Sequence, residues 1–434
     1  MVSGENNITF PKVLIIIRGF SMEDGSGITL TNMFRYWHPD KLLLTCLKMG
    51  TPNSVLFKNM ILLETSKKTI NHNDVNSSDK ENVNSAIHNN VKNVKFNIIR
   101  SIVIKLKEFL RIKIGLINIL YKINVSENLL LTIKKFNPDI IYAVPTDYII
   151  TRFIYKLQKK LKLSLALHFI EDYKKDYRLL PVWNILFSKM IYSLVNNSQA
   201  LFSISEEMST EYNKIFKRKF ETIMNYVNDV NYVKAQNVKK HNQKDINFFY
   251  CGNVGEIRGK TLLNFCNALK KLNECGYNIR FDIRSPLTTY YHDAFSKYSF
   301  VKLLDFIKVY NDEILLSLTS YNFLLLPVNF DAKTIKLTLF SMSTNIPEFI
   351  ISGVPVILFA PEEIAMVKSA NKYGWAYTIT NDNLEDVKNS LIKIIENKEL
   401  QTNIIEKAEL FSKQFYNPVE IQKIFLNNLS GRLK

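Results

Sequence analysis

The sequence predicts an α/β protein built as two doubly wound parallel-sheet domains in tandem. Three observations lead there. Apolar runs of strand length alternate with helix-period amphipathic segments from about residue 11 to the end. The alternation lapses at the polar segment 229–245, which has no apolar periodicity, and then resumes. The length of 434 residues exceeds what one core fills, since single cores stop growing near about 250–300 residues. The expected division is a first domain at 1–228, a linker at 229–245, a second domain at 246–410, and helices at 411–434 that pack back on the first domain.

Each element has its own signal. "KVLIIIRGF" is a buried strand ended by Gly19, and "GFSMEDGSGITLTNMFRYW" is a glycine-containing loop entering a helix with Thr29 or Thr31 as its cap. A strand follows at 42–48. The Asn- and Ser-rich stretch 66–93 has few apolar residues and reads as a mobile insertion. Residues 98–123 are apolar at 99, 102, 103, 106, 109 and 110 with basic residues between, which is helical spacing. "NPDIIYAVP" is a strand entered through Pro138. Residues 148–162 form a second basic amphipathic helix, with Arg152, Lys156, Lys159 and Lys160 opposite its apolar positions. "LSLALHF" and "ALFSISEEM" bring two more strands, the latter running into a helix, and "ETIMNYVND" closes this half. In the second half "INFFYCGNVG" is a strand with a glycine turn, leading to a helix from about Lys260 to Cys275. Strands follow at "IRFDI", "VKLLDF" and "FLLLPV", then a short helix, the strand "PVILFA", a helix from about Glu362, the strand "WAYTI" and a last run of helices.

Composition narrows the function classes. The net charge is +17, and residues 100–162 concentrate it, with 13 Lys/Arg against four acids. A basic face of that kind suits anionic lipid or nucleic acid. No nucleic-acid motif is present, and aromatic residues do not interleave with the basic run as stacking platforms do. No apolar window reaches the roughly 18 residues of a membrane span, and no secretory leader is visible. The expected location is therefore cytoplasmic, peripheral on the inner face of the membrane. Cys46, Cys251, Cys266 and Cys275 have no metal-ligand spacing and read as small buried side chains in a reducing compartment.

The segment 342–356, "MSTNIPEFIISGVPV", carries the most chemistry. Pro347 and Glu348 open a short helix, where proline fits and a carboxylate suits the dipole. Ser343 and Thr344 precede it, either as a cap or as part of an anion site. Gly353 ends the helix and Pro355 starts the next strand. Read alone, "FYCGNVGEIRGK" and the Gly-Ser-Gly of residues 25–27 are ordinary turns, and His168 at the end of "LSLALHF" is a structural histidine.

Together, and in this order, these stretches resemble the GT-B glycosyltransferases of the "glycosyl transferases group 1" type (family 4-like, retaining). The resemblance runs from about residue 11 to the end and implies two Rossmann-like domains facing across a cleft. It implies that Glu348 binds the ribose hydroxyls of a nucleotide-sugar donor, with Ser343 and Thr344 near its diphosphate. It places Gly25, Ser26, Gly27, Gly252 and Asn253 against the donor. It gives catalytic parts to Arg258, which would neutralise the leaving diphosphate, and to His168, facing the cleft from a strand end. Three positions depart from the family pattern: Phe340 stands where the first Glu of an E-x7-E pair is usual, and Asn253 and Asn345 where Arg and Lys are usual. Lys333 and Lys336 are the candidates to replace the lost charge.

The implied activity is transfer of a sugar from a nucleotide diphosphate sugar to a hydroxyl of a glycan or lipid-linked acceptor, with retention, in surface polysaccharide or glycoconjugate biosynthesis. No cofactor and no metal are expected, and the sequence has no Asp-x-Asp motif. Expected partners are the nucleotide sugar, the acceptor and an anionic membrane surface, with no nucleic acid. The alternatives are a sugar-nucleotide epimerase on the same fold and a nucleic-acid-binding protein.

Overall fold

Short Val-, Ile-, Leu- and Phe-rich runs buried on both faces become the strands of two parallel sheets, as helix-covered sheets require. In this computed structural model, residues 10–22, 25–53, 55–66, 122–175, 181–226, 245–305 and 317–431 are described. The first lobe holds strands β1 (Val13–Phe20), β2 (Leu42–Met49), β3 (Asn59–Leu62), a small antiparallel pair β4 (Thr65–Ser66) and β5 (Lys122–Ile123), and then β6 (Ile140–Ala143), β7 (Ser164–Phe169), β8 (Ala200–Ser203) and β9 (Glu221–Thr222). Its sheet runs β3-β2-β1-β6-β7-β8-β9, parallel at every pair. Its helices are α1 (Gly25–Phe34), α2 (Glu127–Phe136), α3 (Tyr148–Leu161), α4 (Pro181–Asn196) and α5 (Glu206–Phe216).

The second lobe holds β10 (Asp245–Cys251), β11 (Asn278–Arg284), β12 (Val301–Leu304), β13 (Phe323–Pro327), β14 (Val356–Phe359) and β15 (Tyr377–Ile379), in the order β12-β11-β10-β13-β14-β15, again all parallel. Its helices are α6 (Gly255–Glu274), α7 (Thr289–Phe295), α8 (Ala332–Thr338), α9 (Ile346–Ile351), α10 (Ala365–Tyr373), α11 (Leu384–Glu396), α12 (Lys398–Phe415) and α13 (Pro418–Ser430). In each sheet the first strand of the lobe, β1 or β10, sits where the strand order reverses. That switch point, at the carboxyl ends of the strands, is where doubly wound sheets bind ligands.

Local chemistry sets many of the boundaries. Asp147 caps α3 by accepting from the Ile149 and Ile150 amides, and Lys162 ends it in a left-handed turn at φ 53°. Ser205 caps α5, and Asn417 and Gly431 bracket α13. The expectation that Thr29 or Thr31 caps the first helix is not met. That helix begins at Gly25, and the Thr29 hydroxyl instead donates back to the Gly25 carbonyl at 2.8 Å. α6 starts at Gly255, earlier than Lys260, because the glycine turn itself winds into the helix. α10 starts at Ala365, after the Glu362 region. The insertion from residue 67, the basic helix expected at 98–123 up to residue 121, and the linker up to residue 244 lie outside the described residues. Lys122 and Ile123 are a strand, since they pair with Ser66 and Thr65.

One core cluster runs continuously from the first lobe into the second, and α13 helps to join them. Phe425 of α13 is fully buried, and its ring packs within 5.2–5.7 Å of Phe34, Trp37, Tyr142 and Phe202, all first-lobe residues. Gln422 donates to the Met33 carbonyl at 2.9 Å, and Gln199 donates to that of Asn428 at 2.9 Å. Phe425→Ala is expected to cost about 3–5 kcal/mol of stability, because four rings lose one shared partner. A denaturant midpoint shift worth less than about 1 kcal/mol would show that the helix is not a structural tie.

Candidate functional site between the lobes

The first βα turn of each lobe leaves its sheet at the switch point. The turn after β1 leads into Gly25, Ser26 and Gly27, which form the first residues of α1. The turn after β10 is Gly252–Gly255. Gly252 has φ +140°, and a Cβ there would lie 3.2 Å from the Tyr250 hydroxyl and 3.6 Å from Asn345 Nδ2. Glycine is therefore required both by backbone conformation and by space.

α6 begins directly after that turn. It is 20 residues long, and its N-cap position is Val254, whose side chain makes no capping hydrogen bond. The first amide groups of so long a helix are a ready anion site. Arg258 stands in that first turn, with Nη1 donating to the Asn253 carbonyl at 3.1 Å. The Tyr250 hydroxyl donates to the same carbonyl at 3.0 Å. Buried Asn329 fastens the turn from below: it accepts from the Thr261 amide at 3.0 Å and donates to the Glu256 carbonyl at 2.7 Å. Tyr250 and Asn329 escaped the sequence reading. The only signals were a tyrosine in a buried strand and an asparagine just past the end of β13.

The 342–345 turn touches both of these loops. A Cβ on Gly25 would lie 2.9 Å from Thr344 Cγ2, so the two lobes meet there in van der Waals contact. Asn345 Nδ2 donates to the Cys251 carbonyl at 2.6 Å, and the Asn345 amide donates to Ser343 Oγ at 3.3 Å. Where the family pattern has a lysine, this chain has a side chain that staples the turn to the end of β10. α9 follows at once and carries Glu348. Glu348 is 8 % exposed, and its Oε2 has no hydrogen-bond partner among the described residues. Burial raises its pKa from 4.5 to about 7, outweighing the lowering effect of its own backbone amide.

Phe340 also has a place. Its carbonyl accepts from Ser205 Oγ at 2.9 Å, and its ring lies 6.3 Å from that of Tyr212 in the first lobe. Nearby, the Tyr373 hydroxyl donates to Glu206 at 2.9 Å and Lys372 lies 3.4 Å from the same carboxylate. An apolar side chain at 340 therefore serves contact between the lobes, where a carboxylate would be buried against rings. Lys333 pairs with Glu256 at 3.0 Å.

The expectation that His168 faces the cleft is not met. It lies next to last in β7, at the strand's carboxyl end as anticipated, but its side chain is fully buried, with Nδ1 2.6 Å from the Tyr142 hydroxyl and its ring edge-on to Phe202. Burial pulls its pKa down to about 4, so it is neutral. The groove side of this region is instead a cavity of about 230 Å³ lined by Arg18, Ser26, Lys48, Tyr142, Thr146 and Glu171 among others. A larger hollow of about 1140 Å³ takes in Asn247 and Asn278 near the starts of β10 and β11, at the far end of the strands from Gly252. The structure thus brings Gly25 to Thr344, Gly252 to Asn345 and Asn253 to Arg258. His168 stays apart from that group.

No protein-family model matches the sequence, and no curated protein matches it. Solved structures do match its fold. Anabaena HepE in complex with UDP-glucose superposes with a TM-score of 0.61 at 12 % identity, over 97 % of this chain and 99 % of its own. A glycosyltransferase from Rickettsia africae gives 0.61 at 11 % identity, over 97 % and 98 %. WaaG, a glycosyltransferase involved in lipopolysaccharide biosynthesis, gives 0.55 at 11 % identity, over 96 % and 100 %. With two Rossmann-like lobes, each opening its first βα turn toward the other, this chain has the GT-B fold of those glycosyltransferases.

Proposed function

We propose that this protein is a glycosyltransferase that moves a sugar from a nucleotide diphosphate sugar to a hydroxyl of a glycan or lipid-linked acceptor, with retention, in surface polysaccharide or glycoconjugate biosynthesis. The observation that carries this reading is Glu348. A carboxylate with a buried, unpartnered oxygen, one turn beyond residues touching both lobes, is costly to keep unless a ligand completes it. Two adjacent ribose hydroxyls are suited to it, since each donates and a carboxylate accepts at two oxygens. That HepE holds UDP-glucose on the same fold supports a nucleotide sugar as the ligand.

In this reading the uncapped start of α6, Gly252, Asn253, Ser343 and Thr344 receive the diphosphate, while Gly25, Ser26 and Gly27 close over it from the other lobe. Arg258 neutralises charge as the sugar–phosphate bond breaks. The acceptor hydroxyl attacks from the face that the diphosphate leaves, and the leaving phosphate oxygen takes its proton. No protein nucleophile is needed, and no metal, because helix amides and Arg258 supply the positive charge. His168 holds Tyr142 beneath the small cavity and touches no substrate. The enzyme works at the inner face of the membrane, where a lipid-linked acceptor lies. Among the described residues, no helix is long and apolar enough to cross a membrane.

A thermal-shift screen against UDP-, GDP-, ADP- and CMP-sugars tests this reading. One class is expected to raise the melting temperature by several degrees at concentrations far above its Kd, as binding to the folded state alone requires. No shift with any nucleotide sugar would remove the donor site. Release of a changed nucleotide sugar with no acceptor present would point to an epimerase.

A further inference from the structure

Helices α3 and α4 pack side by side on the first lobe. Tyr148 lies edge-on to Trp183 at 5.5 Å and to Phe187 at 6.2 Å. Neither helix carries a carboxylate. α3 presents Arg152, Lys156, Lys159 and Lys160, and α4 adds Lys189. The cations crowd one another: beyond the effect of burial, Arg152, Lys122 and Lys160 all depress the pKa of Lys156. Lys159 lies 4.4 Å from the centre of the Tyr155 ring, leaning along the same surface.

The same surface has an apolar side. On α4, Ile185 is 56 % exposed, and Leu186 and Tyr192 are each 41 % exposed. Ile185 and Tyr192, with Asn184, Ser188 and Lys189, line an open hollow of about 450 Å³. Crowded cations favour an external anion, and exposed Ile and Leu favour leaving water. Nucleic acid would satisfy the first need and leave the second unmet. The boundary of an anionic bilayer meets both, with phosphates outside, acyl chains within and tyrosine suited to the level between.

We infer that the α3–α4 face docks on an anionic lipid bilayer, its cations meeting headgroup phosphates while Ile185, Leu186 and Tyr192 enter the acyl boundary. The inference rests on the membrane-surface part of the proposed function and is independent of the donor assignment. Docked there, the first lobe stands beside a lipid-linked acceptor, and the second lobe is left to collect donor from solution.

Flotation of the full chain with vesicles tests it. The protein is expected to float with phosphatidylcholine–phosphatidylglycerol vesicles and to remain below with phosphatidylcholine alone. Lys156→Gln with Lys159→Gln should weaken capture about thirty-fold, at roughly fivefold for each charge near the surface. Ile185→Ser with Leu186→Ser should leave low-salt capture in place and remove the fraction that resists high salt. All four changes are on exposed positions, and each variant should keep the wild-type thermal shift with nucleotide sugar, which separates this test from that of the donor site. Wild-type protein that ignores the acidic vesicles overturns the inference. So do variants that float like wild type, and so does duplex DNA that strips the protein from vesicles at matched salt.

Discussion

Replacing Glu348 with glutamine is expected to make the free protein more stable at pH 8 while removing its grip on a nucleotide sugar. The two effects share one cause. Burial raises the carboxyl from its ordinary 4.5 to about 7, so the folded state holds a proton that the unfolded chain has released. In the window between those values, stability falls as pH rises, because the folded state binds more protons than the unfolded one. Above about pH 7 the full cost is present, on the order of 3 kcal/mol for a shift of that size. A neutral amide of the same shape escapes it. Urea titrations of both proteins at pH 8 and pH 5 check the sign: the gain from glutamine should be large at pH 8 and shrink towards pH 5. In the wild type, donor affinity should weaken as pH falls through about 7, because the ionised carboxylate is the better acceptor for ribose hydroxyls. A glutamine variant that is less stable at pH 8, or that binds donor normally, would show that the buried charge is not held for a ligand.

Arg258→Ala is expected to lower kcat by about 10²–10³ with a much smaller change in KM, the loss typical when one donor to a developing negative charge is removed. Arg258 stands in the first turn of a helix without a side-chain cap, beside Asn253, and buried Asn329 clamps that same turn through the Glu256 carbonyl. In the proposed reaction, charge grows on the diphosphate only as the bond to the sugar breaks, so the guanidinium is expected to act chiefly in the transition state. The turn should survive the change, because Tyr250 still donates to the Asn253 carbonyl. Arg258→Lys should recover part of the rate, since a point charge replaces the planar fork. Initial rates at varied donor concentration decide the matter. An unchanged kcat with a raised KM would make Arg258 a ground-state binding residue only.

Much of the fold was legible because strands buried on both faces cannot disguise themselves. "KVLIIIRGF", "INFFYC" and "FLLLPV" are too apolar to face water and too short to be buried helices, and each became a strand. α4 was not anticipated. Its apolar residues run nearly all the way round, partly because Ile185, Leu186 and Tyr192 face outward, and so the segment lacks a clean helical stripe. Helix starts were less legible where glycines wind into the first turn, as at Gly25 and Gly255, because nothing in composition separates a glycine loop from a glycine-started helix. Of the site, the 342–348 turn and the Gly252 turn could be picked out as motifs. The supports beneath them could not. That Asn329 would clamp the first turn of α6, or that Phe340 would serve contact between the lobes, depends on which distant segment arrives opposite, and no local pattern records it.

The most direct test pairs a change on the protein with one on the ligand. Kd is measured by calorimetry for UDP (or the nucleoside diphosphate that the donor screen selects) and for its 2′,3′-dideoxy counterpart, each with wild type and Glu348→Gln. Removing the hydroxyls should cost wild type about 2–4 kcal/mol and cost the variant far less, leaving a coupling energy of more than about 1 kcal/mol between carboxylate and ribose. Equal losses in the two proteins, or no loss in either, would contradict the claim that Glu348 holds the sugar of a nucleotide.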